Sequence, residues 1–251
     1  MVNKIESSHR EKVDGADRSL DSTTKARVYA LLIMQVFSEN LADEQHLALA
    51  YTAAELRDQL GTYFALDRRL GQIVAKTTEP MLGQMRLAWW RDVLAKTVAQ
   101  RPSGDEVLDA VSSYWVGNET ALIGLVDGWE IMLAEPPLRR GQAKSFAHGR
   151  AQPLAAMAGA DHSDAWQRAH AAGVRWALAD AVVHLPEGEE RSAFIKLGLD
   201  RTSDVGILAR ELRGLAVLES LALRSLKAGG RPLMEGRGAS LVAFRVGLLG
   251  R

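Results

Sequence analysis

The stretch Glu79-Pro-Met-Leu-Gly-Gln-Met-Arg-Leu-Ala-Trp-Trp-Arg-Asp92 constrains the fold more than any other part of the sequence. Pro80 suits the first position of a helix, and the acidic residue before it favours the positive end of the helix dipole. Trp89 and Trp90 would point about 100° apart on that helix, so we expect them to make separate contacts. Aromatic residues at helical spacing usually pack, and we predict that at least one of the two is buried. A ligand-binding role for the pair is the alternative.

The segments on both sides of this stretch are also helical in character, with abundant Ala, only seven Pro residues and no sustained alternation of apolar and polar residues. Thr52-Ala-Ala-Glu55 has the spacing of a capping box and predicts the start of a long helix. Pro153 is expected to bend or split its helix. The predicted helices cover residues 24–37, 43–50, 53–76, 80–94, 105–115, 119–134, 143–158, 164–184, 204–228 and 239–249. They predict one all-α domain over residues 24–251, after a disordered polar tail over residues 1–23 that lacks the apolar core of a secretory signal.

Composition excludes several classes of function. The chain of 251 residues has 31 Lys+Arg against 31 Asp+Glu, and this balance argues against binding nucleic acid by bulk charge. There are no cysteines, so disulfides, cysteine-ligated zinc and thiol nucleophiles are excluded, and a reducing cytosol fits. No run reaches the roughly 18 apolar residues of a membrane span. We therefore predict a cytoplasmic protein.

The sequence contains no clear constellation for metal or phosphate chemistry. The six histidines show no metal-binding spacing, and no phosphate-binding glycine loop or nucleophile elbow occurs. In an all-α protein, paired carboxylates on facing helices are the usual way to hold Mg²⁺. The long helix after residue 53 has only scattered acids, and the helix over residues 164–184 has Asp180. Glu187, Glu189 and Glu190 follow Pro186 and are predicted to lie in a solvated turn, so no metal site is expected.

Two segments resemble the squalene/phytoene synthase family. They are the stretch from Glu79 to Asp92 quoted above and Leu66-Asp-Arg-Arg-Leu-Gly-Gln-Ile73, which is similar to the family's first-motif helix. The resemblance is to a branch that includes bacterial proteins of unassigned role and a mitochondrial complex I assembly factor. It extends through Leu125–Glu130, Phe146–Gly149, Gly173 and Leu185–Pro186. It implies a single-domain, isoprenoid-synthase-like helical bundle around a central cavity.

The resemblance also implies that catalysis is lost. The family's metal-binding acidic positions fall on Gly71 and Ala75 in the first motif, and on His184 and Gly188 in the second. Asp180 stands where the family more often has Asn. Gly, Ala and neutral His cannot supply the carboxylates that hold Mg²⁺ against a diphosphate. No catalytic residue and no cofactor are therefore expected.

Arginines near the former diphosphate site form a separate prediction. In the resemblance Arg68 and Arg69 match positions near that site, and Arg86 on the next helix is expected to approach it. An unpaired buried guanidinium is costly, so each would need a carboxylate partner. We predict that Arg–carboxylate pairs fill the site, with Asp127 or Glu130 as a partner; the alternative is that these charges face solvent.

Three functions are compatible with the sequence. The leading hypothesis is a catalytically degenerate family member that binds a protein partner, as in respiratory-complex assembly, or holds an isoprenoid or other lipid. It allows peripheral contact with the inner membrane. The alternative is an active prenyl-diphosphate transferase on farnesyl or geranylgeranyl diphosphate. It would use Mg²⁺, with its acidic motifs aligned differently or with carboxylates supplied by Asp180, Glu187, Glu189 and Glu190. The third is a helical scaffold without a cavity function.

Overall fold

The structure is a computed structural model that describes residues 41–200 and 206–250 of the chain. Within these two ranges it consists of helices and loops, with ten α-helices and no strand. The all-α class predicted from the sequence is therefore confirmed. The predicted polar tail over residues 1–23 and the predicted helix over residues 24–37 lie outside the described residues.

The helices are numbered here in chain order. They are α1 Asp43–Tyr51, α2 Ala54–Lys76, α3 Pro80–Leu94, α4 Glu106–Tyr114, α5 Glu119–Ile131, α6 Arg140–Ala156, α7 Asp164–His184, α8 Glu189–Leu199, α9 Arg213–Lys227 and α10 Arg237–Leu249. Two short 3₁₀ turns occupy Val98–Gln100 and Arg210–Leu212. Over the two described ranges, no helix combines the length and the apolar character that crossing a membrane requires.

Helices α5, α6 and α7 form the centre of the bundle, with α6 packed between the other two. Small residues allow their backbones to approach closely. A Cβ atom added to Gly149 would lie 2.6 Å from the Cα of Gly128, and one added to Gly173 would lie 3.0 Å from the Cβ of Ala151. Helix α9 covers α7 and also contacts α1 and α10. Glycine at these crossings is therefore a packing requirement of the central layer.

Aromatic side chains join α2 to α7. The rings of Tyr63 and Phe64 meet the indole of Trp176 edge-on, with centroid distances of 6.2 and 5.8 Å. All three side chains are fully buried, and such edge-to-face pairs add to the stabilisation from burial itself. Helices α2 and α7 thus meet here through packed rings.

Local signals located some helix ends correctly and others wrongly. Helix α3 begins at Pro80 as predicted, and the Asp105 carboxylate caps α4 by accepting from the amides of Val107 and Leu108, both at 3.0 Å. The capping box predicted at Thr52 is wrong. The Thr52 hydroxyl instead donates to the carbonyl of Ala48 at 2.7 Å, and α2 begins without a side-chain cap. The hydroxyl thus closes α1 rather than opening α2.

Helix α8 was missed, since its first turn was predicted to be a solvated loop of glutamates. Glu190 lies in that turn and accepts from the amide of Leu138 at 3.0 Å. Phe194, one turn later, is fully buried. Arg191 donates to the carbonyls of Val182 and Leu185, both at 2.7 Å, where α7 ends. The acidic residues that suggested a loop therefore belong to a helix N-terminus, where negative charge is favourable.

The last two helices show one error and one success. The helix predicted from residue 204 begins at Arg213, after a 3₁₀ turn, and Gly206 before it has a φ of +71° that a helix does not allow. The start of the predicted helix, at residues 204–205, lies outside the described residues. The C-terminal helix predicted over residues 239–249 is confirmed as α10.

Helix α6 runs through Pro153 without splitting.

Trp89 and Trp90 divide between surface and core. Trp90 is 3% exposed and Trp89 is 44% exposed, so the prediction that at least one is buried is confirmed. Their rings meet edge-to-face with centroids 5.2 Å apart, so the expectation of separate contacts is wrong. The indole side chains are long enough to bring the rings together although the Cβ atoms diverge.

Replacing Trp90 by Ala should lower the free energy of unfolding by about 3–5 kcal/mol, the usual cost of deleting a large aromatic from a core. Urea denaturation followed by circular dichroism measures this change. Trp89→Ala is the matched control and should cost about 1 kcal/mol or less, because its side chain lies at the surface and is 44% exposed. Equal losses for the two variants would contradict the assignment of Trp90 to the core.

Candidate functional site

The centre of the bundle contains a buried arginine, Arg150 of α6. Its Nε donates to Oδ1 of Asp67 at 2.9 Å and its Nη2 donates to Oδ2 at 2.5 Å, which makes a bidentate pair. Its Nη1 donates to Oδ2 of Asp180 at 2.8 Å. Carboxylates from α2 and α7 thus converge on one guanidinium, the planar geometry that arginine recognises best. We call Arg150, Asp67 and Asp180 the Arg150 centre.

Aromatic rings surround this guanidinium. The Cζ of Arg150 lies 4.6 Å from the ring centroid of Trp176, 5.0 Å from that of Trp129 and 5.5 Å from that of Phe146. Each ring attracts the cation through its negative face. The indole Nε1 of Trp129 also donates to Oδ1 of Asp67 at 2.7 Å. The Asp67 carboxylate therefore accepts three hydrogen bonds and has no need of water.

Residues one turn away from Asp67 on α2 lie against its hydrogen-bond partners, Trp129 and Arg150. Gly71 follows it on α2, and a Cβ atom there would lie 2.9 Å from the indole of Trp129. Glycine at position 71 therefore makes room for the ring that donates to Asp67. Tyr63 precedes Asp67 by one turn, and its hydroxyl donates to the carbonyl oxygen of Arg150 at 2.9 Å.

The electrostatics of the centre follow from burial and charge together. Burial alone lowers the pKa of Arg150, but Asp67 and Asp180 outweigh it and hold that pKa above its ordinary value. Burial, followed by the charge of Asp67, raises the pKa of Tyr63. Burial raises the pKa of Glu44 on α1, with a further contribution from Asp180. The centre thus has one positive charge between two carboxylates, with a third carboxylate, Glu44, near its edge.

Of the predicted site residues, Asp180 belongs to the Arg150 centre and Gly71 lies beside it. Arg69 is partly exposed and pairs with Asp105 at 2.9 Å. The others lie on the surface: Arg68, Ala75, Arg86, His184 and Gly188 are exposed. The predicted motif positions are therefore not brought together around one cavity in the described structure.

Asp127 and Glu130 do form the predicted kind of pair, but with another arginine. Arg91 of α3 donates to Oδ1 of Asp127 and to Oε2 of Glu130, each at 2.5 Å. The Asp127 side chain is 56% exposed, so the prediction that it partners a buried arginine of the former site is wrong. The pair instead links α3 to α5 at the surface.

Sequence reasoning missed Arg150, which carries the centre. It directly follows the segment Phe146–Gly149, which the resemblance had included, and it stands among Ala and Gly residues on a largely apolar helix face. A lone charge in such surroundings is a signal for a buried, paired group.

Among residues 41–200 and 206–250, no cluster of three or more His, Asp or Glu side chains is suited to hold a metal ion.

A second titratable cluster lies between α6 and α7. The rings of His148 and His170 have centroids 4.7 Å apart, and His170 stacks on Trp166 at 4.8 Å. Burial and then the charge of His148 lower the pKa of His170 to about 4. Burial and then Lys144 lower the pKa of His148. Spacing along the sequence did not predict this pair, because its members lie on different helices.

Comparison with known proteins gave no match to a protein family, to a curated protein or to a solved structure.

Replacing Asp67 by Asn keeps the shape of the side chain and removes the charge that pairs with Arg150. We expect the free energy of unfolding to fall by about 3–5 kcal/mol, because a buried guanidinium loses its main counterion. Chemical denaturation measures the change. Asp127→Asn is the matched control in an exposed pair and should cost about 0–1 kcal/mol. Similar small losses for both variants would contradict a stabilising role of the Arg150 centre.

His170→Phe should make the fold less sensitive to acid while keeping a ring against Trp166. The pKa of His170 is about 4 in the folded chain and 6.5 in the unfolded reference, so the unfolded chain binds the proton first. The folded state therefore loses stability as the pH falls from 6.5 towards 4. Between about pH 7 and about pH 4.5, the variant should lose about 2 kcal/mol less than the unmodified chain.

Urea unfolding at the two pH values measures this difference. His184→Asn, at the exposed end of α7, is the control and should follow the unmodified chain. If His170→Phe lost as much stability as the control, the histidine pair would not be the source of the acid sensitivity.

Proposed function

We propose that this protein is a catalytically degenerate squalene/phytoene synthase-like protein that acts by binding another protein. The resemblance of Leu66–Ile73 and Glu79–Asp92 supports the family, and an all-α chain agrees with the helical bundle of that family. The branch with that resemblance suggests assembly of a respiratory complex as the setting. An isoprenoid-synthase-like arrangement of the helices is part of this proposal.

The observation that carries the proposal is the engagement of Asp67 and Asp180 by Arg150. An enzyme that ionises an allylic diphosphate needs carboxylates that are free to hold Mg²⁺. Here Asp67 gives both oxygens to Arg150 and one also to Trp129, and Asp180 gives an oxygen to Arg150. The acidic groups at the centre therefore serve as counterions of the protein itself.

The same side chains favour protein binding over storage of a lipid at the centre of the bundle. Arg150 and the rings of Trp129, Phe146 and Trp176 stand in mutual contact there. A prenyl chain between α2 and α7 would have to displace these rings and leave the guanidinium without its partners. Binding is therefore expected at the outer surface.

Helix α3 offers a surface of the required kind. Met81, Met85 and Trp89 recur every four residues along its outer side and are 71%, 65% and 44% exposed. We call these three residues and Leu82 the α3 stripe. Methionine and tryptophan are enriched at protein interfaces, and exposed apolar patches of this kind commonly mark interaction sites.

The α3 stripe is held in place from beneath. Trp90 and Leu87 on the opposite side of α3 are buried in the core and hold the helix against the bundle, and Arg91 donates to Asp127 of α5. The backbone that carries the α3 stripe is thereby positioned before binding, so the helix itself needs no ordering when a partner docks.

The test is a comparison of proteins that co-purify with the full chain and with the double variant Met85→Ser/Trp89→Ser, measured by quantitative mass spectrometry. Both positions are exposed, so the variant should remain folded. We expect a specific partner to be depleted at least about tenfold, because aromatic anchors contribute strongly to interfaces.

Phe244→Ser/Leu248→Ser, on the exposed side of α10, is the matched control and should retain the partner. An assay with Mg²⁺ and farnesyl or geranylgeranyl diphosphate covers the alternative function. Release of diphosphate at a catalytic rate would overturn the proposal in favour of an active prenyl transferase.

A further inference from the structure

Helix α10 presents a second exposed apolar surface. Leu241, Phe244 and Leu248 lie within about 60° of one another around the helix and are 71%, 59% and 54% exposed. The residues on the other side of the helix, Ala239 and Val246 among them, are buried. We call Leu241, Phe244 and Leu248 the α10 face. It is the outer side of a well-packed amphipathic helix.

The α10 face is held firmly against the rest of the molecule. Gly247 lies so close to Tyr51 of α1 that a Cβ atom there would be 2.4 Å from the phenol ring. Arg213 of α9 donates to the carbonyl of Leu248 at 2.9 Å, near the negative end of the α10 dipole. The orientation of the face relative to the bundle is therefore fixed.

Positive charge borders the α10 face on one side. A groove between α9 and α10 is lined by Arg224, Lys227 and Arg245, together with Ser220, Leu223 and Val242. Around α10, Arg245 lies between the apolar face and this groove. Among the residues that the structure describes, no acidic side chain lines the groove.

The excess of positive charge extends over this whole part of the chain. Between Arg224 and Leu249 the sequence has five basic residues and a single acidic one: Arg224, Lys227, Arg231, Arg237 and Arg245 against Glu235. Glu219, the acidic residue of α9, is buried and accepts from Arg168 and Arg175, so it does not offset this charge. The neutral total charge of the protein thus conceals a basic end.

The α3 stripe provides a useful contrast. It is similarly apolar, but the charges on α3 are balanced: Glu79 and Asp92 accompany Arg86, and Arg91 is paired with carboxylates of α5. Apolar exposure alone therefore does not distinguish the two surfaces. The combination of an apolar face with a basic border occurs at α10.

We propose that the α10 face docks on an anionic phospholipid membrane. Leu241, Phe244 and Leu248 would enter the boundary between headgroups and acyl chains, and the arginines and Lys227 would contact lipid phosphates. This is how interfacial amphipathic helices bind, by apolar insertion together with attraction to negative lipids. The inference goes beyond the proposed function, because it uses a different surface and a different kind of partner.

Co-sedimentation of the full chain with vesicles tests the proposal. Vesicles of phosphatidylcholine mixed equally with phosphatidylglycerol should bind the chain, and vesicles of phosphatidylcholine alone should bind it at least about tenfold more weakly. Phe244→Ser/Leu248→Ser should weaken binding to the anionic vesicles about tenfold or more, because the inserting side chains are lost. Lys227→Glu/Arg245→Glu should do the same and should remove the salt dependence.

Met85→Ser/Trp89→Ser on the α3 stripe is the matched control and should bind the vesicles like the unmodified chain. Far-UV circular dichroism checks that all variants keep their helices. Equal binding to both kinds of vesicle, no binding to either, or equal losses for the α3 and α10 variants would overturn the proposal. So would light scattering that shows a dimer dissociated by Phe244→Ser/Leu248→Ser in place of lost vesicle binding. Failure of the α3 partner test alone would leave this result unaffected.

Discussion

A positive charge buried among aromatic rings is the constraint on which the rest of the structure depends. A guanidinium at this depth is tolerated only when its hydrogen bonds and its charge are satisfied. Asp67 of α2, Trp129 of α5 and Asp180 of α7 all meet around Arg150 of α6, so this one requirement sets the relative positions of four helices. The close glycine contacts between α5, α6 and α7 allow the approach that the network needs.

The sequence predicted the class of fold well because helix signals are local. Pro80 and the acidic residue before it are sufficient to locate the start of α3, and helical spacing is sufficient to predict α7. The errors arose where a residue type that is typical of one local structure takes part in a different one. Thr52 has the residue type of a helix cap but bonds backwards to α1, and Glu190 has the character of a loop but opens α8. Contacts with the neighbouring helices determine which of the two local structures such a residue joins.

The sequence predicted the type of interaction at the site, Arg–carboxylate pairs, but not which residues form them. Arg–carboxylate pairs were expected, and Asp180 was among the candidates, but the arginine was not. Arg150 and Asp67 are 83 positions apart, and periodicity along one helix carries no information on which face meets a distant partner. The same reason explains Asp127, whose partner Arg91 lies on another helix and at the surface. Contacts between different helices, such as these, can be identified only when the packing of the bundle is known.

The separation of Asp67 from its partners also has a consequence for synthesis of the chain. Trp129 follows Asp67 by 62 positions and Arg150 follows it by 83, so α2 leaves the ribosome long before the groups that satisfy its central carboxylate. Until α6 and α7 have emerged, the N-terminal helices have an acidic residue and two aromatic rings, Tyr63 and Phe64, without their final contacts. Nascent chains in that condition expose apolar surface and are targets for chaperones. The core of the bundle is therefore completed only after the second half of the chain has been synthesised and packs against the first.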